Sequence, residues 1–314
     1  VVTDTLGVAV LAYGDGGEFE PLIESLLAEG VPSTSILVVH NPARPGEAAP
    51  AVAPGCELIQ TGRNLGYAGG MNVGVARLLE RGAELLLLLT HDARLRRGAL
   101  ERLLAATALH SELGLIAPVL LLAGTETPYS FGGRTSASGG NSHRKEAPGG
   151  QATQDVLPCD WVDGGTMLVR REVFERVGDF DERFWGYCEE ADLCLRARRG
   201  GFLVGVVASA RADQSPGATK RLGAWAYLMS RNGIEYGRRA AGARGLVART
   251  AAALWLVAFS LLRTALRGLR LRPGPAAEPW ALAVGTARGA IDRYRGRWGP
   301  PPPNLPGMGD LSNA

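Results

Sequence analysis

Five consecutive leucines, Leu85 to Leu89, restrict the fold more than any other stretch of this 314-residue chain. A strand that is apolar at every position needs cover on both faces, which is the situation of a strand inside a parallel sheet flanked by helices. The neighbouring segments repeat the pattern. Apolar runs at residues 6–13, 36–39, 57–60 and 84–89 read as four buried strands, and residues 19–27, 71–79 and 100–109 carry apolar side chains at helical spacing. Strands alternating with helices predict an α/β fold with a mostly parallel sheet and crossover helices. Ligands on such sheets bind beyond the carboxyl ends of the strands, where Tyr13, His40, Asn64 and Asp92 fall.

The pattern loosens after Val119. Residues 132–150, rich in Gly, Ser and charge, read as a mobile surface loop. Order returns with a strand-like stretch over 159–170, helices over 171–177 and 190–199, and a strand over 202–207. From Leu222 onward the reading is helical, closing in a Pro-rich, flexible end at residues 300–306. The expected organisation is a main α/β domain over residues 1–240 and a basic helical extension over 241–314.

Charge is unevenly distributed along the chain. Up to Ala210 there are 18 basic and 26 acidic residues; beyond it there are 16 basic and 5 acidic. A basic tail on an acidic body suggests a polyanion or an anionic membrane as neighbour, or reflects an Arg-rich coding bias, since Lys145 and Lys220 are the only lysines. Within the tail, the uncharged residues 250–262 span roughly 20 Å as a helix, short of the ~30 Å hydrocarbon core. That segment reads either as a helix packed on the body or as one lying in the headgroup region, with Arg238, Arg239, Arg244 and Arg249 before it and Arg263, Arg267, Arg270 and Arg272 after it. Four cysteines without a C-x-x-C pair argue against a disulfide scaffold or structural zinc, and a reduced, cytoplasmic compartment is expected. No basic region followed by an apolar run opens the sequence, so no secretory signal is expected.

Three stretches carry polar residues suited to chemistry. Thr61 to Asn72, where a strand hands over to a helix, contains Gly66, Gly69 and Gly70 and would bring backbone close to an anion at the helix start, without matching G-x-G-x-x-G. Thr90-His91-Asp92 puts a carboxylate at the tip of the leucine strand, where it would face a hard cation or cap the next helix. Trp161 to Arg196 holds Asp163-Gly164-Gly165 and crowds Glu189, Glu190 and Asp192 at a helix start. Capping explains part of that cluster, while like charges so close raise one another's pKa and make a carboxylate usable as a general base. Asp192 is expected to pair with Arg196 one turn on. Trp161, Trp185 and Tyr187 flank the cluster and suit either sugar stacking or core packing.

In order and wording these stretches resemble the family 2 inverting glycosyltransferases of the GT-A fold, above all a bacterial branch of rhamnosyltransferase-like and galactofuranosyltransferase-like enzymes of cell-envelope assembly. The resemblance runs from Leu6 to about Arg239. It implies a nucleotide held by the first strand and loop, residues 8–16, with Tyr13, and by His40 and Asn41, although the family usually has Asp where this chain has His40. Arg63, Asn64, Gly66, Gly70 and Asn72 would line the nucleotide-sugar site, and Asp163, Gly164 and Gly165 would meet the donor sugar. Thr90-His91-Asp92 falls at the family's metal motif with only Asp92 retained, and Gln214 stands where metal-binding members place a His. A divalent cation, Mn²⁺ or Mg²⁺, is therefore implied with an altered donor set. Tyr227 to Asn232 matches the family's closing Arg-Asn helix. Glu189-Glu190-Ala191-Asp192-Leu193 is similar to the family's Glu-Asp-x-Asp-Leu, whose second acid is the base, which makes Glu190 the catalytic residue with Glu189 beside it, and Trp185 and Tyr187 the acceptor side.

The reaction so implied is inverting transfer from a nucleoside-diphosphate sugar, of dTDP or UDP type rather than GDP, to a hydroxyl of a glycan, lipid-linked or natural-product acceptor. The expected setting is the cytoplasm or the inner face of the plasma membrane, in envelope polysaccharide assembly, with an anionic membrane surface and no nucleic acid as partner. Departures at His40, Thr90 and Gln214 leave a second reading, a catalytically degenerate binding or scaffold subunit. A nucleotidyltransferase is a third, but the loop after the first strand, Gly14 to Glu18, is acidic where such an enzyme wants a basic one.

Overall fold

The computed structural model describes residues 5–14, 19–147, 155–215, 221–269 and 277–306. Residues 15–17 of the first loop, 148–150, 216–217, Arg270 and Arg272 lie outside the described residues. The chain divides into two compact units, one of Val1–Arg134, Ser142–Glu182 and Glu189–Gly217, the other of Thr135–Asn141, Arg183–Cys188 and Ala218–Ala314.

The first unit has the expected α/β layering. Its strands are β1 (Leu6–Tyr13), β2 (Ile36–Asn41), β3 (Glu57–Gln60), β4 (Leu85–Thr90), β5 (Ala93–Leu95), β6 (Leu113–Leu122) and β7 (Pro128–Ser130). A two-stranded ribbon of β8 (Gly133–Thr135) and β9 (Asn141–His143) follows, its Thr135–Asn141 tip being counted in the second unit, then β10 (Val156–Pro158), β11 (Thr166–Arg170) and β12 (Leu203–Gln214). The helices are α1 (Phe19–Ala28), α2 (Gly66–Glu80), α3 (Ala99–Leu109), α4 (Arg171–Val177) and α5 (Glu189–Arg199). The main sheet runs β10-β12-β6-β11-β4-β1-β2-β3. β1 is parallel to both β2 and β4, β2 to β3 and β6 to β12, while β11 is antiparallel to β4 and β6. Leu86 to Leu89 are fully buried, as a two-sided apolar strand requires.

Register positions the site. Tyr13 pairs with Asn41 and Leu11 with Thr90, so the carboxyl ends of β1, β2 and β4 finish on one edge. Because β11 runs the other way, with Thr166 opposite Leu89, the residues that precede it, Asp163 to Gly165, arrive at that same edge. Gln214 at the end of β12 pairs with Ala93, just past Asp92.

Several expectations are corrected. The loop expected over 132–150 is ordered as far as residue 147: Phe131 N–H donates to Arg144 O and Arg144 N–H to Gly132 O, both at 2.8 Å, and Gly133 sits so close under the Trp161 ring that no Cβ would fit. Hydrophobic cover by that indole outweighs the loop-like composition. The strand expected from residue 159 starts only at Thr166, and the strand expected to end at 207 continues to Gln214 through a register shift. The four cysteines are free, Cys56 half-buried and the others buried; burial pushes the Cys159 thiol up to about 12.

The second unit is built on α6 (Leu222–Gly268) and α7 (Ala277–Tyr294). α6 is broken at Ala241 and Gly242, the latter at φ 61°, ψ −142°, so the boundary expected between residues 240 and 241 is a bend within this unit. The chain folds back there: a Cβ on Gly245 would collide with the Gly237 backbone, and one on Gly237 would meet the Arg249 side chain. α7 lies along both arms. Glu235 of the first arm binds Arg293 at 2.8 Å, whereas Thr250 and Arg267 of the second arm meet Tyr294 at 2.6 Å and Glu278 at 3.4 Å, so α7 runs antiparallel to the second arm. Gly285 and Gly289, four residues apart, let α7 touch the first-arm backbone at Gly223 and Tyr227. The Pro-rich end expected to be flexible packs Leu305 onto Tyr227 and Leu228, because the apolar residue finds cover there.

Candidate active site

At the sheet edge the Asn64 to Asn72 stretch is held by its own side chains. Asn64 Oδ1 accepts from the backbone N–H of Gly66 at 2.9 Å and from Asn41 Nδ2 at 3.2 Å. Asn41, buried, also donates to Gly66 O at 3.0 Å and accepts from Leu65 N at 2.8 Å. Its amide thus fixes the start of α2. Gly70 is needed because a Cβ there would meet Leu11 Cδ1 at 2.6 Å, so it sets how closely α2 approaches β1. Asn72 grips a different segment, accepting from Phe180 N and donating to Phe180 O, both at 3.0 Å, and reaching Glu182 at 3.1 Å. His40 is buried with Nε2 3.1 Å from Gly14 O. Tyr13 is half-buried, its N–H 3.4 Å from His91 Nδ1, and Arg63 is exposed.

Asp92 lies between two polar neighbours. The Thr90 hydroxyl donates to Oδ1 at 2.6 Å and the Gln214 amide donates to Oδ2 at 2.7 Å. Gln214 Oε1 is buried without a hydrogen-bond partner, and it lies close enough to Gly165 to forbid a Cβ there. Among the described residues no group of three or more His, Cys, Asp or Glu is arranged to hold a metal. The donor set is therefore one carboxylate and one orphaned amide oxygen. Hard cations accept both kinds of ligand and complete their shell with phosphate and water, so the residues fit Mg²⁺ or Mn²⁺ held largely by a diphosphate.

The acidic cluster opens α5. Glu189 is buried and Glu190 half-exposed, and each leaves one buried carboxylate oxygen without a partner. Burial, reinforced by Glu190, holds the Glu189 carboxyl well above the usual carboxylate range. Burial also pushes Glu190 up to about 7; its own and Ala191's backbone N–H groups and His143 pull it down, and Asp163 pushes it further up. Glu189 and Glu190, together with burial, in turn raise the Tyr67 phenol, whose hydroxyl donates to Gly164 O at 2.7 Å. Asp192 is fully buried and forms the expected i+4 pair with Arg196 at 2.8 Å. That Arg also ties down the carbonyls of Val177, Gly178 and Asp179.

His143 is the residue that sequence reasoning missed. It came from the stretch read as loop, and β9 carries its Nδ1 to 3.2 Å from both Asp163 Oδ1 and Ser130 Oγ. Its ring is wedged between Tyr129, with centroids 5.1 Å apart, and Trp161, at 4.9 Å. Trp161 is buried in this packing, so of its two suggested uses the core use is the one realised. The pairing of Gly133 with Trp161 that builds this pocket is a long-range contact with no local sequence signal. Trp185 and Tyr187 belong to the second unit, in the turn Arg183–Cys188 that leads directly into α5.

No protein-family model matches the chain. It is 28% identical over 235 residues to the N-acetylglucosaminyl-diphospho-decaprenol L-rhamnosyltransferase of Mycobacterium tuberculosis, covering 67% of this chain and 75% of that protein. It is also 29% identical over 151 residues to the dTDP-rhamnosyl transferase RfbF of Shigella flexneri, covering 48% and 49% of the two chains. Among solved structures it is similar to the mannosyltransferase PcManGT of Pyrobaculum calidifontis in complex with GDP-Man and Mn²⁺, with a TM-score of 0.51 and 14% identity over 92% of this chain and 87% of that one. The chain is a glycosyltransferase with the GT-A fold, similar in sequence to rhamnosyltransferases. In this glycosyltransferase the strand ends that the fold reserves for ligands are those bearing Tyr13, Asn41, Asp92 and Gln214.

Proposed function

We propose that the enzyme transfers a deoxyhexose of the rhamnose class, with inversion, from a dTDP- or UDP-sugar to a hydroxyl of a lipid-linked or envelope glycan. The setting is the cytoplasm or the inner face of the plasma membrane. The nature of the sugar and acceptor follows the two relatives named above. Glu190 carries the chemical part of the reading: a carboxylate raised to about 7, at a helix start beside Asp163 and His143, is half-ionised at neutral pH and can accept a proton there.

The acceptor oxygen attacks the anomeric carbon as its proton passes to the Glu190 carboxylate. The bond from that carbon to the diphosphate oxygen breaks, and the nucleoside diphosphate leaves with the electron pair. Burial raises the Glu189 pKa and so favours its neutral form, which limits the negative charge beside the base. Asp92 and Gln214 would hold a divalent cation, which supplies positive charge to the departing diphosphate. Asn64 and Asn41 keep the start of α2 in place, and Gly164 and Gly165 present backbone.

Substituting Glu190→Gln tests the base. Transfer from a panel of dTDP-, UDP- and GDP-sugars should fall at least a thousandfold for whichever donor the wild type uses, while calorimetric donor binding changes less than about threefold. Wild-type turnover in that variant would move the base elsewhere.

A further inference from the structure

We infer that the outward face of the second arm of α6 is a docking surface for an anionic lipid bilayer, on which the helix lies in the headgroup region without crossing. This stands on the second unit alone and does not depend on the assignment of Glu190.

The second arm turns a continuous apolar face to solvent. Val247, Leu254 and Leu261 recur every seventh residue, and Trp255 and Leu262 form the adjoining row, with Phe259 stacked on Trp255 at 5.1 Å and 6°. Leu254 and Trp255 are each 64% exposed. From Val247 to Leu262 this face is about 24 Å long at ~1.5 Å per residue, and at its end the Arg263 guanidinium lies 5.7 Å from the Phe259 ring centroid. Arg249, the cation within that stretch, instead lies against Gly140 and Gly233 on the inner side. The segment without charges on this face is longer than residues 250–262, because Arg249 turns inward. The opposite side of the arm is occupied by the first arm and α7.

Charge identifies the occupant. The buried carboxylates of this unit are paired within it, Glu235 with Arg238, Arg239 and Arg293, and Asp292 with Arg297 while accepting a hydrogen bond from Tyr227. Against burial, those Arg partners hold Glu235 at about 2. At the surface cations outnumber the exposed carboxylate Glu278, which Arg267 meets at 3.4 Å: Arg244 is exposed at the start of the apolar face, Arg288 on α7 and Arg295 just past its end. Exposed Trp225, Trp280 and Tyr294 add rings of the kind that settle at a membrane interface. An apolar face with Arg244 exposed at its start and Arg263 over Phe259 at its end complements anionic headgroups over acyl chains. A second copy of the chain would bring an equal positive rim against it. By length and composition α6 is able to cross a membrane, but crossing would carry Arg249, Arg263 and Arg267 into hydrocarbon.

Flotation of the full chain with vesicles tests the inference. Wild type should partition at least tenfold more into vesicles of about 30% phosphatidylglycerol in phosphatidylcholine than into phosphatidylcholine alone, lose most of that preference in high salt, and shift its Trp emission to the blue. The double variant Trp255→Ser, Leu262→Ser, which alters exposed side chains only, should lose vesicle binding at least tenfold with an unchanged melting temperature. Equal binding of wild type and variant would overturn the inference. So would a wild-type dimer that the variant splits in the absence of vesicle binding, which would assign the face to a second copy. Resistance of the membrane-bound protein to alkaline carbonate extraction would overturn it in favour of a crossing helix.

Discussion

Substituting Asn232→Ala should unlock the turn that precedes α5. In Arg183–Cys188 three non-glycine residues have left-handed backbones, Trp185 at φ 63°, Tyr187 at 66° and Cys188 at 72°. Each costs about 1–2 kcal/mol in an L-residue, so the turn carries about 3–6 kcal/mol of conformational penalty. It persists because Asn232, fully buried, donates from Nδ2 to the carbonyls of Phe184, Gly186 and Tyr187 at 2.8, 2.7 and 2.9 Å. Arg231, equally buried, donates to Phe184 O at 3.0 Å and Arg183 O at 3.3 Å, and its Nε holds Asn232 Oδ1 at 2.9 Å. In the alanine variant Phe184 keeps a donor from Arg231, while Gly186 and Tyr187 lose the one from Asn232. At about 1–3 kcal/mol for the stranded buried acceptor Gly186 O the expected loss is about 2 kcal/mol. Urea denaturation measures it, and kinetics should show kcat falling with the donor KM nearly unchanged, because the turn runs straight into Glu189 whereas the strand-end residues belong to other elements. Adding Tyr187→Gly should restore about 1 kcal/mol, since glycine adopts φ 66° freely and this side chain is 40% exposed. A loss below about 1 kcal/mol, or a donor KM that rises at constant kcat, would refute a positioning role for the Arg231-Asn232 pair.

Further predictions concern the acidic cluster and Asp92. Transfer should rise with pH through about 7 as Glu190 ionises, and His143→Ala should move that limb to higher pH, because the histidine field lowers the Glu190 pKa; a limb unmoved in the variant would remove His143 from the site's electrostatics. Glu189 is raised in the folded state, so the native protein holds a proton that the unfolded chain releases above about 4.5, and stability falls as pH climbs. Glu189→Gln should therefore melt like wild type near pH 4 and above it at pH 8, and the opposite order would contradict a protonated Glu189. Asp92→Ala should weaken dTDP or UDP binding about tenfold with Mn²⁺ present and change it little in chelator, as titration calorimetry reads; equal affinity of the wild type with and without chelator would leave the cation without a role.

Which parts were legible follows from the range of the forces involved. Leu85 to Leu89 and the alternation around them determined a two-sided parallel sheet, since burial of a strand is written residue by residue in its apolarity. The pairing of Asp192 with Arg196 was equally local, one helical turn apart. Chain order also placed Asn64, Asp92 and Glu190 at element ends, where ligand-facing groups lie. Tertiary structure decided the rest, through contacts distant in sequence. The Trp161 ring over Gly133 turned a polar, glycine-rich stretch into an ordered ribbon and so delivered His143 to Asp163, 20 positions away along the chain. The reversal at Gly242 turned Arg249 inward and left one uncharged face on a helix whose sequence shows cations at both ends. The buried pair Arg231-Asn232 holds open a turn that no local preference would choose. Apolar pattern and i+4 spacing act within a few residues and are readable in order; orphaned carboxylates, a strained turn and an inward-facing arginine depend on what folds over them.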